Sequence, residues 1–273
     1  MAYVNVEKPR PHVSLITMNR PERMNAMSFD TVVPLFEAMR AVAADNDTWV
    51  VVLTGAGRGF CAGLDLEDHG APPGIDGLTM SRIAIRAMEF MSDLVPTMRA
   101  MPQPVIAAIN GPAHGGGMCL PLGADVRLAA ESATFRAAGI NNGLTGTELG
   151  VSYLLPRLIG ASRAFEMILS GREIGAVEAE RAGLVSRVYP NDELLPAALE
   201  ARLARAAAAW SWRRQPPAPG PWILGFTFRC LWQRAVAAVT LTFVVPPGGR
   251  SPGARHAARM QRRCGRGARI ALG

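Results

Sequence analysis

The sequence predicts an α/β domain in which short buried strands alternate with helices. Three aliphatic runs, at residues 12–19, 48–55 and 104–110, have the composition of strands. The second lacks polar alternation, which is typical of a strand covered on both faces. Another such run follows at 124–130. Strands separated by helical segments indicate a layered α/β architecture.

Helices are predicted between these strands. The first begins after Ser28, a typical N-cap residue, and apolar residues then recur every three or four positions. A second long helix is predicted over 80–101 with a break near Pro96. A short helix over 118–124, stopped by Pro121 and Gly123, and a late edge strand over 184–188 complete the elements.

Charge divides the chain near residue 200. The 273 residues carry a net charge of +7, yet residues 201–273 contain 13 arginines and no acidic residue, while all 22 acidic residues precede them. We therefore expect a folded core over 1–200 and an atypical basic tail over 201–273. Such a tail can bind nucleic acid or acidic surfaces, but it contains no nucleic-acid-binding motif, and its composition is also that of a GC-rich gene translated out of frame.

No apolar segment is long enough to cross a bilayer or to act as a signal peptide. The four cysteines form no C-x-x-C pair, which argues against a zinc site or a disulfide framework. These features predict a soluble, cytoplasmic protein without a metal.

Two glycine-containing loops follow predicted strands. "GRGFCAGLDL" comes after the strand at 48–55, and "HGGG" comes after the strand at 104–110. Adjacent strands would place the loops side by side, and two backbone N–H groups that converge on one oxygen form an oxyanion hole. A close packing point between strand and helix explains the glycines equally well. A dinucleotide site is disfavoured, because "GAGRGF" opens a loop rich in Gly and Pro instead of a helix.

The motifs "ITMNRPERMNAMS", "VVLTGAGRGFCAGLDL", "PVIAAINGPAHGGG" and "ADVRLAAESATFRAAGINNGL" resemble successive signatures of the crotonase superfamily, the enoyl-CoA hydratases and isomerases. The likeness spans residues 3–200. It implies a spiral of ββα units, a coenzyme A thioester as substrate, no separate cofactor, and homotrimers or dimers of trimers. Fatty-acid breakdown is the expected pathway.

The resemblance also implies site residues. The N–H groups of Leu64 and Gly116 would form the oxyanion hole and stabilise an enolate. Other positions would contact the substrate or line its channel: Met24, Ala26, Ala62, Gly63, Asp65, Leu66, Gly115, Cys119 and Gly139. A solvated loop face is the alternative for Asp65, Asp68 and His69.

The sequence departs from the family where hydratases carry two glutamates. Cys119 and Gly139 occupy those positions, although water addition needs one group to activate water and another to deliver a proton. Glu148 is a candidate replacement, or alternatively a carboxylate that favours a helix N-terminus. A Cys119–His114 nucleophile pair is a further possibility, and Asp125 is expected to be structural. The functional alternatives are hydration, isomerisation, and thioester binding without turnover.

Overall fold

A computed structural model describes residues 2–143 and 148–200, with Glu148 described by its backbone alone. The predicted basic tail and its boundary at residue 200 therefore lie outside the described residues. Within the described part, two sheets organise the chain. Six strands have the spatial order β1-β2-β3-β4-β6-β9, and three have the order β5-β7-β8.

The large sheet is parallel except for its first pair. The strand β1 (Val4–Arg10) is antiparallel to β2 (Val13–Met18), whereas β3 (Val50–Gly55), β4 (Val105–Ile109), β6 (Val126–Ala130) and β9 (Arg187–Tyr189) continue in parallel. The small sheet contains β5 (Ala113–His114), β7 (Thr134–Arg136) and β8 (Glu173–Gly175).

Eight α-helices lie in the described part of the chain: α1 (Phe29–Ala44), α2 (Met80–Ser92), α3 (Leu94–Ala100), α4 (Gly116–Gly123), α5 (Val151–Ile159), α6 (Ala161–Ser170), α7 (Ala176–Ala182) and α8 (Leu194–Ala198). The start of α1 is as predicted, because the Ser28 N–H donates to Thr31 Oγ1 at 2.9 Å. Such bonds satisfy amides that have no partner within the helix.

Both faces of the central strands β3 and β4 are buried, as the lack of polar alternation in β3 predicts. Val51 and Leu53 contribute to the main core with α1 and α3, whereas Val50 and Val52 face a second cluster that includes Leu194 of α8. Successive strand residues point to opposite faces, so an aliphatic strand supplies two cores at once.

The long helix breaks near Pro96, as predicted. The helix α2 ends at Ser92 and Pro96 lies in the first turn of α3, because a proline ring clashes with the carbonyl four residues earlier in a continuous helix. Two other predicted boundaries were wrong. The helix after the glycines begins at Gly116 and includes Pro121. The late edge strand begins at Arg187, because Leu184 and Val185 are buried in the main core ahead of it.

Candidate active site

The two glycine-containing loops lie against each other because their strands are neighbours. β3 pairs with β4 in parallel, with Val51 opposite Val105, so both strands end at the same edge of the sheet. Beyond that edge the loop from β3 hydrogen-bonds to β5, where the His114 N–H donates to Cys61 O at 3.0 Å. Cys61 and Ala113 also form a parallel bridge.

Glycine is required where the loops touch. Gly117 lies so close to the Cys61 carbonyl that a Cβ at position 117 would overlap it. Gly63 has φ +97°, and a Cβ there would lie 2.7 Å from His114 O and 3.4 Å from Gly116 N. The backbone of Gly63 therefore lies close to the His114 carbonyl and to the amide of Gly116.

Leu64 forms a parallel bridge with Met27, and its amide faces away from Met27. The Met27 N–H donates to Gly63 O at 2.7 Å, and the Met27 carbonyl accepts from the Asp65 N–H at 2.9 Å. Because the residues on either side of Leu64 make both bonds of the bridge, the N–H of Leu64 itself points to the side opposite Met27. Within residues 2–143 and 148–200, neither the Leu64 amide nor the Gly116 amide donates to a backbone carbonyl.

The segment from Cys61 to Leu66 alternates between the interior and the surface. Cys61, Gly63 and Asp65 are buried, whereas Ala62, Leu64 and Leu66 are exposed. Leu64 and Leu66 retain 42% and 58% of their accessible surface. Three consecutive outward positions are thus apolar, which is unusual for a solvent-facing loop and typical of a binding surface.

Asp65 is held inside the protein by arginines. Its side chain is 1% exposed and accepts from Arg20 Nη1 at 3.0 Å and from Arg23 Nη2 at 2.8 Å. The N–H groups of Glu67 and Asp68 donate to the same carboxylate at 3.0 Å. The expectation that the Asp65 side chain contacts substrate or solvent is therefore wrong, because both carboxylate oxygens are used internally. Asp68, by contrast, has a side chain that is 67% exposed.

The net effect of these contacts is to lower the pKa of Asp65. Burial by itself raises that pKa, but the hydrogen bond from Arg23 and the two backbone N–H groups outweigh it. The same pairing raises the pKa of Arg23, first through Asp65 and then through Glu67. Asp65 is thus a carboxylate at neutral pH.

Met24 and Ala26 lie in the turn that contacts this loop. Met24 accepts from the Ala62 N–H at 3.0 Å and has φ +50°, while Ala26 is buried. Asn25, which the sequence did not single out, donates through Nδ2 to Ala56 O at 2.9 Å and to Gly59 O at 2.8 Å. In the sequence, Asn25 could have been found from the Asn-Ala pair in the motif "ITMNRPERMNAMS".

The segment after β7 approaches the glycines from the other side. A Cβ at Gly115 would lie 3.8 Å from Ala138 Cβ, which brings the backbone before Gly139 next to the site. A Cβ at Gly116 would lie 3.1 Å from Leu149 Cδ1. Glu148, the predicted acid, precedes Leu149 in a short 3-10 helix, but its side chain lies outside the described residues.

His114 and Cys119, the alternative nucleophile pair, each have other partners. The His114 Nε2 atom lies 2.9 Å from Thr134 Oγ1 and 3.0 Å from Glu173 Oε2, so the ring is held by the small sheet. Burial lowers the pKa of His114, with Arg136 adding to this and Glu173 opposing it. Cys119 is buried and its thiol donates to Gly115 O at 3.4 Å.

Asp125 is structural, as predicted, since its Oδ2 accepts from the Val105 N–H at 2.8 Å and holds the start of β4. Burial raises the pKa of Cys61, the thiol of the loop after β3, to about 12.

In the described ranges, no cluster of three His, Cys, Asp or Glu side chains has the arrangement of a metal site. No helix there has the length and apolar character that a membrane span requires.

Comparison with known proteins identifies the family. A family model described as enoyl-CoA hydratase/isomerase matches residues 10–211. The chain belongs to the enoyl-CoA hydratase/isomerase family. A probable enoyl-CoA hydratase, EchA12 of Mycobacterium tuberculosis, is 58% identical over 206 residues, which cover 75% of this chain and 72% of that protein.

Other relatives of this family member have different names. The 1,2-epoxyphenylacetyl-CoA isomerase of Escherichia coli is 37% identical and covers 72% of each chain. The crystal structure of a probable enoyl-CoA hydratase/isomerase from Mycobacterium abscessus has a TM-score of 0.72 and 40% identity, with 96% of both chains covered. A monofunctional enoyl-CoA isomerase from M. smegmatis has a TM-score of 0.64 and 45% identity, covering 87% of this chain and 96% of that one. The fold and the crotonase resemblance are thus confirmed.

Replacing Gly63 by alanine tests the contact between the loops. We expect Gly63→Ala to lower the free energy of unfolding by about 1–2 kcal/mol, because alanine is strained at a positive φ. We also expect it to lower the rate of enoyl-CoA turnover about 100-fold, because the new Cβ displaces the loop from His114. Gly77→Ala is the matched control, since Gly77 has φ +74° with nothing within 4 Å of a Cβ. Urea unfolding and steady-state kinetics measure both effects. Equal turnover by the two variants contradicts the prediction.

The lowered pKa of Asp65 makes its contribution to stability depend on pH. A group with a depressed folded-state pKa stabilises above its unfolded pKa of about 4 and loses that contribution as pH falls through the folded value. The difference in free energy of unfolding between the wild type and Asp65→Asn is therefore expected to be constant above about pH 5 and to shrink in more acidic solution. Urea titrations from pH 3 to 7 measure it, and a difference that widens with acid contradicts the assignment.

Proposed function

We propose that this chain is an enoyl-CoA enzyme whose oxyanion hole consists of the N–H groups of Leu64 and Gly116. The observation that carries the proposal is the close approach of Gly63 to the Gly116 amide. The Gly116 nitrogen lies 3.4 Å from a Cβ built on Gly63, and the adjoining Leu64 amide is turned away from Met27. The amide of Gly116 also lies in the first turn of α4, where N–H groups have no partner within the helix.

The chemistry follows from where negative charge develops. When a proton leaves C2 of an acyl thioester, or a nucleophile adds at C3, charge moves to the carbonyl oxygen and an enolate forms. Two fixed N–H donors stabilise that oxygen more than they stabilise the neutral carbonyl, and each contributes about 3–4 kcal/mol in comparable sites. Coenzyme A is proposed to enter as part of the substrate, and the proposed reaction uses no separate cofactor.

The exposed apolar row of Ala62, Leu64 and Leu66 supports a substrate surface beside this hole. The backbone of Gly63 and Gly115 borders this substrate surface on one side. Met24, Ala26, Cys119 and Gly139 are proposed to contact or enclose the thioester from the flanking segments.

Glu148 is the proposed acid–base group. Cys119 and Gly139 supply no carboxylate at the positions where the family resemblance expects one. Leu149, the next residue after Glu148, has its Cδ1 atom 3.1 Å from a Cβ built on Gly116, so the backbone carrying Glu148 is adjacent to the hole. A carboxylate there can take up or deliver a proton at the substrate's α-carbon.

Hydration of a 2-enoyl-CoA to a 3-hydroxyacyl-CoA is the first candidate reaction, since a relative that is 58% identical is named a probable enoyl-CoA hydratase. Isomerisation of the double bond is the second, and the absence of carboxylates at positions 119 and 139 favours it. Moving a double bond requires one base that removes a proton and returns it to another carbon, whereas hydration must also activate water.

Two substrates distinguish these reactions. We expect loss of the enoyl-thioester absorbance of crotonyl-CoA if the enzyme hydrates, and conversion of a 3-enoyl-CoA to the 2-enoyl isomer if it isomerises. Glu148→Gln is expected to lower kcat at least about 100-fold for the preferred substrate, with little change in thioester affinity. Glu37→Gln, on the exposed face of α1, is the matched control. Binding of both substrates without turnover by the wild type contradicts an enzymatic function.

We further propose a homotrimer or a dimer of trimers in the cytoplasm, acting in fatty-acid breakdown. Exposed apolar side chains on α6 and α7 support self-association: Phe165, Leu169 and Val177 retain 51%, 72% and 57% of their surface. We expect a mass of about three or six times 29.1 kDa by light scattering. Leu169→Glu is expected to reduce it, because a charge on an apolar interface is costly to bury. A monomeric wild type contradicts the proposed assembly.

A further inference from the structure

The turn Arg20–Met27 holds the loop that carries the Leu64 amide along most of its length. Asn25 bonds the start of that loop, at Ala56 and Gly59. Met27 bridges Leu64 by accepting from and donating to its two neighbours. One continuous turn is therefore the support on which the proposed donor rests.

Beyond Leu64 the support changes from backbone bonds to an ion cluster. Asp65 is the next residue, and its own N–H is one of the two bonds that orient the Leu64 peptide. Its carboxylate accepts from Arg20, from Arg23 and from the N–H groups of Glu67 and Asp68. The arginines thus act on the peptide adjoining the donor, since a shift of Asp65 moves the Leu64 amide with it.

The two arginines differ in what else they hold. Arg20 is buried and its guanidinium has other partners, because it donates to Asp68 Oδ2 at 3.0 Å and lies 5.6 Å from the Tyr3 ring centroid. Removing Arg20 therefore disturbs more than one contact. It is a poor probe of the loop alone.

Arg23 is the separable member of the pair. Its side chain is 36% exposed, and its bonds within the described residues go to the loop carboxylates of Asp65 and Glu67. It meets Asp65 through two nitrogens, with Nη2 at 2.8 Å and Nε at 3.3 Å. Two-point contacts of this kind fix orientation as well as distance.

We infer that Arg23 is a positioning residue for the oxyanion hole, which sets the orientation of the Leu64 amide through Asp65. The inference rests on the proposed function, because it assigns a catalytic consequence to the contact. Arg23 does not touch the reacting atoms. A donor that is displaced or mobile stabilises developing charge less, although the remaining substrate contacts persist.

Arg23→Gln tests the inference, with Arg172→Gln as the matched control. Arg172 is a similarly exposed arginine, at 40%, that bonds two carboxylates, Glu166 and Glu178, and it has no contact with the loop. We expect Arg23→Gln to lower kcat with the preferred enoyl-CoA substrate about 10-fold to 100-fold. Its affinity for free coenzyme A, which has no thioester carbonyl, is expected to stay within about two-fold. Arg172→Gln is expected to match the wild type in both.

A spectroscopic probe separates positioning from general loss of structure. A thioester of 4-(dimethylamino)cinnamic acid with coenzyme A absorbs at longer wavelength when its carbonyl is polarised. We expect the shift on binding to wild type to be reduced in Arg23→Gln and unchanged in Arg172→Gln. Arg23→Lys keeps the charge but loses the planar two-point geometry, so it should give an intermediate shift.

Hydrogen exchange of residues 61–68 supplies a readout without substrate. Faster exchange there in Arg23→Gln, but not in Arg172→Gln, supports the restraint. If wild type shifts the probe spectrum and Arg23→Gln shifts it equally, with unchanged kcat, the positioning role is overturned while the proposed function stands. If wild type neither binds nor shifts the probe, the proposed function itself fails, and the catalytic role of Arg23 falls with it.

Discussion

Direct contact between two stretches of backbone is the constraint on which the site depends. Gly117 lies against the Cys61 carbonyl and Gly63 against the His114 carbonyl, and neither approach leaves room for a side chain. Parallel pairing of β3 and β4 brings the loops to one edge of the sheet, but only the absence of Cβ atoms lets them close to this distance. The glycines are thus a packing requirement first, and the proposed chemistry uses the amides which that packing exposes.

The loop is held in place by a polar group that an ordinary surface loop would expose to water. Asp65 is almost fully buried, and a buried carboxylate is strongly unfavourable unless it is paired and hydrogen-bonded. The turn Arg20–Met27 supplies two arginines that pair with this carboxylate. The N–H groups of Glu67 and Asp68 also donate to it. The charge cluster and the glycine contact therefore fix the same six-residue segment from opposite ends, which keeps its alternate apolar residues facing outward.

The central strands and α1 could be predicted from sequence because each is long enough to show a pattern. The small sheet could not, since β5, β7 and β8 have only two or three residues each, and their pairing depends on tertiary contacts. The early start of α4 was missed because glycine is a poor helix former, yet contacts to Cys61 and Met27 override that preference. The burial of Asp65 was also missed, since its partners lie more than forty residues earlier in the chain.

Because the proposed donors belong to the main chain, only a substitution by proline removes the N–H itself. Alanine scanning of this surface would report the side chains that hold the backbone, such as those of Arg23 and Asp65, but Leu64→Ala would leave the N–H of residue 64 in place. Replacing the amide of residue 64 by an ester through chemical ligation removes the hydrogen-bond donor while leaving shape and packing nearly intact. The same property lets neighbouring segments exchange acids and bases without rebuilding the hole, which gives a physical reason for relatives of one fold to bear the names of hydratases, isomerases and dehalogenases.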